Sequence, residues 1–320
     1  INTQPLLGIE PIGNKRCKVT IPALFRDDSQ AKDIDGKGVI GSYISLDADD
    51  YMSPIYKVIG KEVDQVTDQI ELVIQTDSSD CSMPVGSEVV GVTKLSDLTI
   101  TGGSYAYILG RVDISNPEGL AVSNANIKME SYPGILVNGT PMIEAGLDHI
   151  GQNVDIEYGY LADAIDIHLE GMDLYNRIVL PSANVVIDGG INLHGSSANM
   201  QVFSLTTTGS VNLVDGAYLN VTGCLFSECL DIAGDLNISD SNFSVFGSRE
   251  WKNKVGGSLV ISGASSNYTG LDLGSFQIGE NLEIQDIGEN DSLEFRMTEI
   301  GYDLLMNNIQ GKVAFEGDVK

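Results

Sequence analysis

Along much of the chain, apolar and polar residues alternate in short runs. Five related phrases carry the pattern most clearly: GGINLH (189–194), GSVNLV (209–214), GDLNIS (234–239), GGSLVI (256–261) and GENLEI (279–284). Each opens on glycine and then places two apolar residues one spacer apart: Ile191/Leu193, Val211/Leu213, Leu236/Ile238, Leu259/Ile261 and Leu282/Ile284. A period of two predicts a strand, with both apolar side chains facing inward and the spacer facing outward. Gly, Asn, Ser and Asp punctuate the strands, as tight turns require.

The second apolar residue of each phrase recurs after 20, 25, 23 and 23 residues. A period in the low twenties marks a solenoid, in which each repeat is one coil stacked on the last. Further short strands fill each coil, for example AYLNVTG (217–223), CLFSECLDI (224–232) and NFSVFG (242–247). Two or three strands per coil predict a parallel β-helix, and the Leu-x-x-Leu-x-Leu-x-x-Asn frame of leucine-rich repeats is missing. The same grammar reaches back through NRIVL (176–180), AIDIHLEG (164–171), QNVDIEYG (152–159), GILVNG (134–139), ANIKMES (125–131) and GRVDIS (110–115) to DLTITGG (97–103). It reaches forward to GKVAFEG (311–317). About ten coils are expected over 97–320, a rod of roughly 48 Å at ~4.8 Å per coil. This strand grammar resembles the right-handed parallel β-helix of pectate-lyase-like proteins and phage tailspikes over about two thirds of the chain. It rests on no diagnostic motif, so it implies a fold rather than an activity.

Residues 1–96 read differently. Longer strand candidates stand at 15–25, 38–47, 55–63, 70–76 and 87–95, joined by polar loops. They predict a small β-barrel or sandwich, suited to docking or assembly. The opening strand and its PALF ending (22–25) resemble the oligomer-binding barrel that precedes the spike in phage tail hub proteins. The fold class expected is therefore all-β: an N-terminal β domain (1–96) followed by a single-chain parallel β-helix (97–320).

Charge narrows the partners. The 320 residues carry 18 Lys and Arg against 45 Asp and Glu, a net charge of −27. That excludes the basic clusters that nucleic acid or an anionic membrane surface would demand. No apolar run approaches a membrane span, so membrane insertion is not expected. The first residue is Ile, and no basic-then-apolar signal segment follows it, which leaves open whether that end is processed. The four cysteines (Cys17, Cys81, Cys224, Cys229) lack zinc-site spacing and leave two readings, disulfides in an extracellular protein or buried thiols. Six Asn-x-Ser/Thr sequons are no more than an Asn-, Ser- and Thr-rich chain produces.

Candidate chemistry is sparse. No nucleophile elbow, phosphate-binding glycine loop or H-E-x-x-H motif occurs. His168 and His194 hold similar places in IDIHLEG and GINLHG, which predicts that they stack in adjacent coils, with Asp166 and Glu170 beside them. With Asp166 they form the candidate catalytic or metal-binding set, the alternative being an exposed polar ladder. Asp113, Asp155 and Asp166 are outward spacers, the position from which carboxylates on one face would act as acid and base or hold calcium. GSREWKNKVGG (247–257) clusters Arg249, Trp251, Lys252 and Lys254 as a candidate ligand contact. Asp33 and Asp35 in one acidic loop, and Asp47 and Asp49 in another, are calcium candidates, although Ala31 and Ser42 occupy two positions where a calcium loop wants ligands.

The expectation is a non-enzymatic structural or attachment protein, extracellular or on a virion surface such as a phage tail, baseplate or spike. Its partners would be further copies of itself, a homotrimer first, then virion or cell-surface assembly proteins and surface polysaccharide. Two alternatives remain: a polysaccharide lyase or glycoside hydrolase working on the β-helix face, and a bacterial adhesin or surface-layer protein.

Overall fold

A computed structural model describes residues 3–22, 43–47, 52–64, 66–67, 69–77, 81, 88–108, 110–130, 132–145, 150–159, 165–222, 229–245, 253–263, 271–272, 275–295, 298–317 and 320. Every regular element among them is a strand. The chain divides into two compact units: residues 1–100, 106–121 and 128–145 form the first, and residues 101–105, 122–127 and 146–320 form the second. The boundary expected at 96 is thus an interleaved stretch rather than a single linker.

The first unit is built on one ten-stranded sheet. Its antiparallel part runs in the order Glu88–Leu95, Tyr43–Ser45, Ile55–Asp64, Gln69–Gln75, Arg16–Pro22 and Gly8–Gly13. Strict alternation explains the packing. In Arg16–Pro22, Cys17, Val19 and Ile21 are fully buried and meet Ile70, Leu72 and Ile74 of the partner strand. A disulfide joins Cys17 to Cys81 across 64 residues of sequence. On its other side Glu88–Leu95 pairs in parallel with Arg111–Ile114, which pairs in parallel with Ile135–Val137. Val92 faces Arg111 and Val112 faces Ile135, so coil-like spacing begins within this unit.

The second unit is a parallel β-solenoid, of about 8 turns in all. Ten were expected from the reach of the strand grammar; two of the strands counted then, Arg111–Ile114 and Ile135–Val137, lie in the first unit's sheet. Three parallel ladders surround the core. One stacks Val154–Tyr158, residues 177–180, residues 199–202, Tyr218–Val221 and Asn242–Val245. A second stacks residues 165–170, 183–188 and 204–207 with Leu230–Ile232, Asn253–Val255 and Phe276–Ile278. The third stacks residues 172–174, residues 191–194, Val211–Val214, Leu236–Ser239, Leu259–Ser262, Leu282–Ile287 and Leu304–Ile309. The 18-residue strand Arg177–His194 passes through all three ladders in turn, which is one complete coil.

The recurring phrases form the third ladder. Their paired apolar residues align in two inward columns: Ile191, Val211, Leu236, Leu259 and Leu282 in one, Leu193, Leu213, Ile238, Ile261 and Ile284 in the other. All ten are at most 1% exposed. Each contributes on the order of 1.5–3 kcal/mol of burial, enough to hold the alternating register against slippage. The glycine at the head of each phrase has a separate cause. A Cβ on Gly234 would lie 2.5 Å from the Ser210 hydroxyl; on Gly256, 2.4 Å from the Ala233 carbonyl oxygen; on Gly279, 2.1 Å from the Gly256 carbonyl oxygen. At these three positions the preceding coil approaches so closely that a Cβ would not fit.

Candidate functional site

With the interior filled by the apolar columns, chemistry can reside only in the outward residues. In the third ladder the outward spacers follow one another in register: Asp173, Asn192, Asn212, Asn237, Val260, Glu283 and Leu305. The four from Asp173 to Asn237 are hydrogen-bonded head to tail. Asn237 donates to Asn212 at 2.7 Å, Asn212 to Asn192 at 2.6 Å, and Asn192 to Asp173 at 2.8 Å. Each amide donates towards the first coil, and the relay ends on a carboxylate, which only accepts. The Asn192 amide, and then His194 at 3.3 Å, hold the Asp173 carboxyl below the usual carboxylate range. Ionisation of Asp173 is favoured, so it is ill suited to donate a proton.

The second ladder repeats the device. Ser204 donates to Asn184 at 2.8 Å, and Asn184 donates to Asp166 at 2.9 Å. Thr208 donates to Asp188 at 3.0 Å. Asp166, His168 and Glu170 are exposed on one strand, as the alternation required.

The register corrects the expected histidine pair. His168 is aligned with Val186 in the second ladder, and His194 with Val214 in the third. The local likeness of IDIHLEG and GINLHG hides the corner between the ladders: His168 lies before the Gly171 corner of its coil and His194 after the Gly189–Gly190 corner of the next. His194 instead stacks on Tyr175, ring centroids 4.8 Å apart and planes 14° apart. The three outward aspartates also do not share a face. Asp113 forms a paired ion bridge with Arg111 in the first unit, at 2.6 and 3.0 Å, whereas Asp155 and Asp166 sit on different ladders.

Lys254 is placed on the second ladder between Asp231 and Gln277, while Arg249, Trp251 and Lys252 lie outside the described residues. Of the calcium candidates, Asp33, Asp35 and Asp49 also lie outside them. Asp47 is described, bonded through its backbone to the Ser45 hydroxyl. No group of three or more His, Cys, Asp or Glu able to hold a metal occurs among the described residues. Cys229, like Cys17 and Cys81, is disulfide-bonded.

A concave site lies on the first ladder and was not singled out by the sequence reading. It is a cleft of about 360 Å³ lined by Asn126, Asn153, Val154, Asp155, Asn176, Arg177, Ser196, Ser197 and Asn199. Asp155, Arg177 and Asn199 are register partners in three successive coils, and Tyr218 and Asn242 continue their column. The floor is fixed by buried Asn176, whose side chain accepts from the Val154 backbone at 3.2 Å and donates to the Gly151 carbonyl at 3.0 Å. Asn153 stands in the left-handed region, at φ 57°, and donates to Asn124 at 3.0 Å. Arg177 approaches Glu157 at 3.7 Å, and both remain partly exposed. The sequence signal for this cleft was an asparagine immediately before three successive strands: Asn124 before Ala125–Met129, Asn153 before Val154–Tyr158 and Asn176 before the strand that opens at Arg177. It reads as ordinary turn punctuation until the coils are stacked. No family model matches the chain, and no curated protein or solved structure matches it either.

Proposed function

We propose that the chain is a non-enzymatic attachment or structural protein of a virion or cell surface, with its β-solenoid as the projecting element. One observation carries the reading. Outward carboxylates of two ladders, Asp166 and Asp173, accept hydrogen bonds from amide relays that run from coil to coil. Such relays stiffen a rod, and the one on Asp173 holds that carboxyl below the usual range, whereas acid–base catalysis needs one carboxyl free to carry a proton. The disulfides support an oxidising, extracellular setting, and the net charge of −27 supports a surface that resists non-specific association. Within this reading the solenoid is of the tailspike or pectate-lyase-like kind, and a homotrimer on a phage tail, baseplate or spike is the favoured assembly.

Purified protein is to be incubated with intact bacterial cells and with their extracted surface polysaccharides. The expected result is sedimentation of the protein with cells and no release of reducing ends or unsaturated sugars. Release of either that disappears in Asp166→Asn would overturn the proposal in favour of a polysaccharide lyase or hydrolase.

A further inference from the structure

The cleft on the first ladder combines four features that together define a ligand class. First, all its lining residues but Val154 are polar types, and their formal charges cancel. Four amides (Asn126, Asn153, Asn176, Asn199) and two hydroxyls (Ser196, Ser197) accompany one carboxylate, Asp155, and one guanidinium, Arg177. An amide offers a donor and an acceptor side by side, the complement of neighbouring hydroxyl groups on a ring. Second, the cleft runs along the stack. Its residues come from three successive coils, and Asn126 adds the strand neighbouring Val154–Tyr158, so it spans about 14 Å at ~4.8 Å per strand. An elongated ligand is favoured over a compact one. Third, the backbone groups here are engaged in the parallel ladder, so recognition falls to side chains rather than to strand addition at an edge. Fourth, an aromatic ring adjoins the cleft in sequence. Tyr175, 52% exposed, is the chain neighbour of Asn176 and is braced by His194, which lies two residues before Ser196. Tyr218 occupies the next position of the Asp155–Arg177–Asn199 column.

We infer that this cleft is a binding groove for a neutral oligosaccharide segment, with Tyr175 as stacking platform and Asp155, Arg177 and Asn199 as hydrogen-bonding column. The inference rests on the attachment reading and names what is attached to. The groove is pre-organised: Asn176 and Asn153 are already held by Gly151, Val154 and Asn124, so little ordering accompanies binding. Arg177 acts as a donor to ring or hydroxyl oxygens rather than as an anion trap, because Glu157 already faces it and Asp155 is its register partner.

The test is electrophoresis of the whole protein through native gels containing dextran, mannan or xylan, with polygalacturonate and gelatin as comparators. Retardation by at least one neutral polysaccharide is expected. The apparent affinity should fall at least tenfold in Tyr175→Ala and in Arg177→Ala, and Ser197→Trp, which fills the cleft from an exposed position, should abolish it. Unchanged urea midpoints of the three variants certify their fold. Retardation by none of the three neutral polymers, retardation only by polygalacturonate or gelatin, or retardation indifferent to all three substitutions overturns the inference. Cell sedimentation keeps the two proposals apart. Cells bound without neutral-polymer retardation sink the groove and leave attachment standing. Neutral-polymer retardation accompanied by release of reducing ends sinks the non-enzymatic reading and leaves the groove occupied.

Discussion

Replacing Gly279 by alanine tests the central packing argument, that coil spacing at the phrase corner forbids a side chain. The new Cβ would stand 2.1 Å from the Gly256 carbonyl oxygen and 2.9 Å from its carbon. To reach even 3.0 Å the two coils must separate locally by roughly 0.9 Å. That movement stretches the hydrogen bond from the Gly279 amide to the Val255 carbonyl, now 2.7 Å. Overpacking costs about 1–3 kcal/mol and the weakened hydrogen bond about 1 kcal/mol. Loss of glycine's freedom in the unfolded chain returns about 0.4–1 kcal/mol. The net destabilisation is about 2 kcal/mol, or ~4–8 °C in Tm for a unit of this size. Gly301 provides an internal comparison. Its Cβ would approach the Gly279 oxygen at 2.0 Å, but the strand that follows it, Leu304–Ile309, is largely exposed and free to shift. Gly301→Ala should therefore cost less than Gly279→Ala despite the shorter contact. Gln277→Ala, an exposed outward position, should lie within about 0.5 kcal/mol of the parent. Urea denaturation followed by far-UV circular dichroism reads all three. Equal midpoints for Gly279→Ala and the parent would refute the close-packing account, and a larger loss in Gly301→Ala would refute its account of the terminal coil.

Two further outcomes are expected. Reduction of the Cys17–Cys81 disulfide, which closes a 64-residue separation, should destabilise the first unit by about 4 kcal/mol on the chain-entropy account; a urea midpoint unchanged by reductant would contradict this. Asp173 has a folded pKa below its unfolded one, so its contribution is present above the ordinary carboxylate range and lost as pH falls through the folded value. Asn192→Ala removes the largest cause and should move the Asp173 carboxyl titration, followed by carbon NMR, upward by more than His194→Ala does; the reverse order would sink the relay argument.

The solenoid was legible in the sequence because its core is strictly periodic. Leu236 and Ile238 announce a strand locally, and their recurrence every twenty-odd residues announces a coil. Asn192, Asn212 and Asn237 hold matching places in their phrases, so that outward column was legible too. What could not be read was which outward residues become neighbours where the phrases do not repeat. That depends on corner geometry, and an offset of one corner within the coil was enough to send two similar phrases to different ladders. The cleft was hidden for the same reason. Asp155, Arg177 and Asn199 recur every 22 residues, one coil apart, but they differ in side-chain type, and Asn153, Asn176 and Ser197 share no motif with them and read as turn residues until the coils are stacked. In the first unit alternation again gave the buried set, Cys17, Val19 and Ile21 against Ile70, Leu72 and Ile74. Arg111–Ile114 and Ile135–Val137 carry the coil grammar and do pair in parallel, but nothing local marks that they continue the first unit's antiparallel strands.

The third ladder separates what the fold requires from what is free to carry function. Its inward columns hold Leu, Ile and Val from Ile191 to Ile284 with at most 1% exposure, and its corner holds glycine at 234, 256 and 279, where a Cβ would meet the preceding coil. Its outward column changes character over the same coils, from Asp173 and three asparagines to Val260, Glu283 and finally Leu305 at 48% exposure. Burial and close approach constrain the first two sets; nothing in coil stacking constrains the third. The outward asparagines are accordingly a polar relay belonging to one end of the ladder rather than a requirement of the repeat. The same reasoning makes the first ladder informative. Coil stacking accounts for Asn176, which satisfies the Val154 amide and the Gly151 carbonyl of the preceding coil, but it does not demand Asp155, Arg177 and Asn199 in successive coils, so their convergence in one cleft calls for a cause outside the fold, and a hydroxyl-rich ligand supplies one.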